Sequence, residues 1–167
     1  MSNKKRQHTT NILRFFFVIY MGVLFYFMFF SERYGRTITS DTYRYNLELF
    51  LEIKRFIKYR DIVGVESFVV NILGNVLVFV PFGFLVPVIR KRRMNKQSSG
   101  FFHRTIRTFW LLICVTVFSF ELSLFIETTQ LITKIGCFDV DDLFMNTVGG
   151  LLGGILYVIG RKLMKRR

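Results

Sequence analysis

Residues 109–132 read FWLLICVTVFSFELSLFIETTQLI, an apolar run interrupted by Glu121, Glu127 and Gln130. At about 1.5 Å rise per residue, a helix of this length crosses a hydrocarbon core roughly 30 Å thick with its backbone amides bonded internally. Three further stretches have the same character: 12–30, 68–89 with Asn71, Asn75 and Pro81, and 143–159. The composition agrees, with 51% apolar residues, mean hydropathy +0.38, 21 Phe against one Trp, and no alanine in 167 residues. Such numbers exclude a disordered chain and fit hydrocarbon better than a compact aqueous core. The expected fold is all-α: a polytopic membrane protein with four transmembrane helices, forming a single domain over 1–167. The third and fourth spans, joined by 133–142, must lie side by side as an antiparallel hairpin.

A net charge of +13, from 24 basic and 11 acidic residues, would suggest nucleic acid in a soluble protein. The positions of the charges say otherwise. Lys4, Lys5, Arg6 and Arg14 precede or open the first span, and Arg90, Lys91, Arg92, Arg93, Lys96, Arg104 and Arg107 lie between the second and third. Arg161, Lys162, Lys165, Arg166 and Arg167 follow the fourth, and no acid falls in any of these segments. Every acid outside the third span lies in the other two connections. By the positive-inside bias this is a multi-pass protein of the cytoplasmic membrane with both termini cytoplasmic, its basic runs facing anionic headgroups. Nucleic acid is not an expected partner. The first span reads as an uncleaved anchor, since it is long for a signal peptide and lacks an A-x-A-type site. Cys114 and Cys137 are too far apart along the helix to suggest a disulfide.

The outer connection 31–64 carries Leu47, Phe50, Leu51, Phe56 and Ile57 at helical spacing within 46–60. It is expected as an amphipathic helix in the outer interface, serving either as a cap on the bundle or as a lid.

Polar side chains within spans are expensive to insert, so each is a candidate site residue. Asn71 and Asn75 share a face near the outer end of the second span, and Glu127 and Gln130 share one near the outer end of the third. Asp139, Asp141 and Asp142 follow in the outer loop, and Asn146 opens the fourth span. Amides and carboxylates from three helices are thus expected in one half of the membrane. Pro81 removes an amide donor midway along the second span, where a kink would open that half. Gly149, Gly150, Gly153 and Gly154 form two overlapping G-x-x-x-G pairs, the spacing of close helix packing and a candidate surface for oligomer formation.

The run Asn71-Ile-Leu-Gly-Asn75-Val-Leu-Val-Phe79-Val-Pro81-Phe82-Gly83, then Glu127 and Gln130, then Asp139, Asp142, Asn146 and Gly149-Gly150, resembles the VanZ-like family of small bacterial membrane proteins. Asn46-Leu47-x-x-Phe50 is similar to that family's N-L-x-P-F segment, with Leu49 where Pro is usual. The resemblance covers 46–154, and Glu121 and Asp141 stand outside its pattern. It implies a role in low-level resistance to teicoplanin-type glycopeptides, in a Gram-positive envelope, and a site at Glu127, Gln130, Asp139, Asp142, Asn146 and Asn75.

Three functions are open on these residues. A binding protein would hold an outer-leaflet component, a lipid-linked cell-wall intermediate or a glycopeptide, through Asn71, Asn75, Gln130 and Asn146. An outer-leaflet enzyme would use Glu127, Asp142 and Asp139 as catalytic candidates, a desolvated Glu127 working as acid or base beside an ionised Asp142. Its Asp-rich loop can supply oxygen ligands to Mg²⁺ or Ca²⁺. A Ser or Cys triad is not expected, because His8 and His103 both fall on the cytoplasmic side. The third function is structural, with the same groups cross-linking helices in a lipid environment.

Overall fold

The computed structural model describes residues 3–30, 42–63, 65–90 and 101–164. The four apolar runs are helices: α1 (Asn3–Phe30), α3 (Val65–Ile89), α4 (Phe101–Thr133) and α5 (Val140–Met164). Each is long and apolar enough to cross a membrane, so the chain is a multi-pass membrane protein. A shorter helix, α2 (Leu51–Val63), precedes α3 and bends at Tyr59, where the backbone leaves helical geometry. Two short strands, β1 (Tyr45–Asn46) and β2 (Phe138–Asp139), pair in parallel, bringing the chain ahead of α2 against the α4–α5 connection. The basic runs at 91–100 and 165–167 and the segment 31–41 lie outside the described residues.

The helices extend past the apolar runs. α5 begins at Val140, so Asp141 and Asp142 belong to its first turn and not to a loop. There their charge complements the helix dipole, as Arg161 and Lys162 do in the last turn. The amphipathic helix expected over 46–60 is also shifted. Asn46 is in β1, Leu47 and Phe50 precede α2, and Phe50 holds the left-handed backbone at φ 64°.

α5 is the centre of the bundle because four of its glycines let two neighbours approach. A Cβ on Gly149 or Gly153 would lie 2.2 Å from Val76 O or 2.1 Å from Val80 O, both on α3. A Cβ on Gly150 would lie 1.9 Å from Ser119 Oγ, and one on Gly154 would lie 3.2 Å from the Leu112 side chain, both on α4. Each G-x-x-x-G pair therefore serves one neighbouring helix of the same chain. The surface expected to receive a second copy is filled internally.

α3 is helical through both Pro81 and Pro87, and Tyr20 Oη of α1 donates to Val78 O at 2.6 Å in the turn that the proline disturbs. Removing this bond in Tyr20→Phe should lower Tm by about 2 °C in detergent, from a buried bond worth roughly 0.6–1 kcal/mol. An unchanged melt would show that this hydroxyl does not brace α3. A small apolar core of Leu24, Met28, Phe79 and Ile126 joins α1, α3 and α4. Large apolar side chains such as Phe15, Phe16, Trp110 and Phe125 instead face outward, which suits lipid and not water.

Candidate functional site

The buried polar groups form a column. Ser119, Ser123, Glu127 and Gln130 follow one another at spacings of four, four and three on α4, and all are at most 1% exposed. This spacing places them on one helix face. From Gln130 to Ser119 the column runs about 16 Å, half the thickness of a hydrocarbon core. Asn75 of α3 and Asn146 of α5 are equally buried and complete it. Asn146 Nδ2 donates to Ser123 Oγ at 2.9 Å, and Asn75 Nδ2 donates to Asp142 Oδ1. Gln130 Nε2 donates to Met28 O at 2.6 Å and so ties α4 to α1.

At the hairpin end of the bundle, where α4 turns into α5, the column meets a carboxylate cluster. Glu127 Oε2 accepts Asp139 N–H at 3.0 Å. Asp139 Oδ1 accepts Asp141 N–H at 2.8 Å, which makes it the N-cap of α5. The same oxygen accepts Asn46 Nδ2 at 3.1 Å, while Asn46 Oδ1 accepts Glu48 N–H at 3.0 Å and tightens the turn after β1. Asp141, 5% exposed, accepts Phe50 N–H and holds that residue in its positive-φ conformation. The Phe50 ring then meets Phe144 edge-on at 5.4 Å. Residues 44–50 thus form a strap fastened to the cluster by side chains and, through Phe138 N–H to Arg44 O at 3.0 Å, by backbone.

Of the residues expected at the site, Asn75, Glu127, Gln130, Asp139, Asp142 and Asn146 come together at this end. The Asn71 side chain lies outside the described residues. Glu121 is exposed on α4, away from the column. Sequence reasoning left Asp141 out, although its carboxylate anchors the strap. It also missed Ser119 and Ser123, whose four-residue spacing back from Glu127 was the available signal.

Burial raises the Asp139 carboxyl above the usual carboxylate value, and the neighbouring Asp141 charge adds to this. The N–H bonds from Asp141 and Asn46 act in the opposite direction. The Cys137 thiol is raised as well, first by burial and then by the Asp139 charge. Cys114 and Cys137 are both free. Among the described residues, no group of three or more His, Cys, Asp or Glu side chains is arranged to hold a metal ion.

No solved structure matches this chain. Protein VanZ of Enterococcus faecium is 34% identical over 97 residues, covering 58% of this chain and half the length of that relative. The VanZ/LLP1 family model matches residues 17–161, a stretch that holds the polar column, the glycine pairs and the strap. On that match, over most of its length, the chain belongs to the VanZ-like family.

Proposed function

We propose that this chain is a cytoplasmic-membrane protein, with both termini inside, that confers low-level resistance to teicoplanin-type glycopeptides by binding an outer-leaflet envelope component at its hairpin end. The observation that carries this reading is the strap over the polar cluster. Leu47, Leu49 and Ile57 are exposed beside the exposed Lys54, Arg55 and Lys58, a mixture suited to the boundary between acyl chains and anionic headgroups. Binding is favoured over turnover because two of the catalytic candidates hold the scaffold: Asp139 caps α5, and Glu127 accepts the Asp139 amide.

Glu127→Gln tests this reading, because a glutamine carbonyl can still accept the Asp139 amide while the charge is gone. In a sensitive Gram-positive host, the native chain is expected to lower teicoplanin susceptibility, and the variant at matched membrane level to return it toward that of the empty host. Equal protection by both would remove the Glu127 charge from the binding site and leave this residue its hydrogen bond alone. No protection by either would remove the resistance reading.

A further inference from the structure

Two amide oxygens in the column are buried without a hydrogen bond from the protein: Asn75 Oδ1 and Asn146 Oδ1. Their amide groups are already oriented, since the Asn75 NH₂ is given to Asp142 and the Asn146 NH₂ to Ser123. Turning the Asn75 amide over would set its oxygen against the Asp142 carboxylate, and turning the Asn146 amide over would only exchange an orphaned oxygen for an orphaned NH₂. Both residues belong to one series of neighbours across three helices. Asn75 reaches Asp142, Asp142 and Asn146 are one turn apart on α5, Asn146 reaches Ser123, and Ser123 and Glu127 are one turn apart on α4. Side chains one turn apart are neighbours on a helix face. The series therefore gathers two buried amide oxygens and two carboxylates within about one helical turn of one another.

We propose that this set of groups binds a small monovalent cation, sodium, between the amide oxygens of Asn75 and Asn146 and the carboxylates of Asp142 and Glu127. Oxygen donors of this kind suit hard cations. Protonating one carboxylate would supply a single O–H, enough for one of the two amide oxygens and not for both, and a water molecule would satisfy the amides without altering the charge. A cation answers both needs. Both carboxylates already accept a protein N–H, and among the described residues no group of three or more His, Cys, Asp or Glu side chains is arranged to hold a metal ion, which favours a monovalent ion over Mg²⁺ or Ca²⁺. Close backbone packing of α3 on α5 at Val76 and Gly149, directly beside Asn75, favours a small ion over potassium. The proposal is independent of the resistance reading, and its test involves no antibiotic.

The purified full chain in detergent is melted in sodium, potassium or choline chloride at equal ionic strength. Sodium is expected to raise Tm saturably, on the order of 5 °C well above its dissociation constant, with much less from potassium and none from choline. Asn75→Leu combined with Asn146→Leu, with the same branching but without the oxygens, should abolish the sodium response whatever it does to the basal melt. Identical melts in the three salts would overturn the proposal in favour of bound water. A sodium response undiminished in the leucine variant would overturn it by placing the ion elsewhere. If that variant does not fold, retention of radioactive sodium by the native chain decides: stoichiometric retention competed by cold sodium is expected, and no retention overturns the proposal.

Discussion

Gly153→Ala is expected to lower Tm by several degrees, up to about 8 °C, and to reduce the yield of monodisperse protein in detergent. The added Cβ would lie 2.1 Å from Val80 O and 2.8 Å from Phe84 N. Both are backbone atoms of α3, so no change of rotamer relieves the clash and the two helices must move apart. Overpacking typically costs about 1–3 kcal/mol, and each kcal/mol shifts Tm by roughly 2–4 °C in a chain of this size. The intrinsic preference of a helix for Ala over Gly opposes this by roughly 1 kcal/mol. Gly22→Ala and Gly160→Ala isolate that opposing effect, since neither glycine has another group within 4 Å of its added Cβ. Both controls should melt at or slightly above the native temperature. If Gly153→Ala melts with the controls, α3 and α5 are not in backbone contact at this level.

The spans were legible because apolar length is a direct measure of the hydrocarbon that a helix must cross. Their ends were less so. Helical backbone continues through Asn3, Phe101 and Met164, beyond the apolar runs, because polar flanks at a membrane surface do not interrupt hydrogen bonding along the helix. For the same reason Asp141 and Asp142 looked like loop residues until α5 was seen to start at Val140. The glycine spacing was legible as close packing, but a spacing does not say whether the neighbour belongs to the same chain. Here one pair faces α3 and the other α4, and that assignment depends on tertiary geometry.

The strap was the least legible part of the site. A two-residue parallel ladder has no periodicity to read, and Asp141 bonds to a main-chain amide, which carries no signature in the partner's side chain. The N-L-x-x-F spelling marked the segment, but its shape comes from Asn46, Asp139 and Asp141 acting together. By contrast, the convergence of Asn75, Glu127, Gln130, Asp142 and Asn146 followed from depth alone, once each span had a direction. Polar residues at equal height on adjacent helices have few partners other than one another.

Asp139→Ala is expected to release the strap and fray the start of α5 in one step. The substitution removes the N-cap acceptor for Asp141 N–H and the acceptor for Asn46 Nδ2. Loss of a cap alone costs about 0.5–2 kcal/mol, and the strap bond adds about another 1 kcal/mol. Tm should therefore fall by about 5 °C or more, and limited proteolysis should cut within 44–50 where the native chain resists. Asp139→Asn keeps a carbonyl oxygen for both donors and should retain the strap, which separates the hydrogen bonds from the charge. The pH dependence then reports the charge. Burial raises the Asp139 carboxyl in the folded chain, so the folded state binds this proton more tightly than the unfolded state does. The stabilisation from that proton is complete below the unfolded value near 3.8 and disappears as pH rises through the raised folded value. Native Tm minus Asp139→Asn Tm should accordingly increase as pH falls from neutral into the acid range. A difference that stays flat, or shrinks on acidification, would mean that the hydrogen bonds from Asp141 and Asn46 outweigh burial and keep the carboxylate ionised.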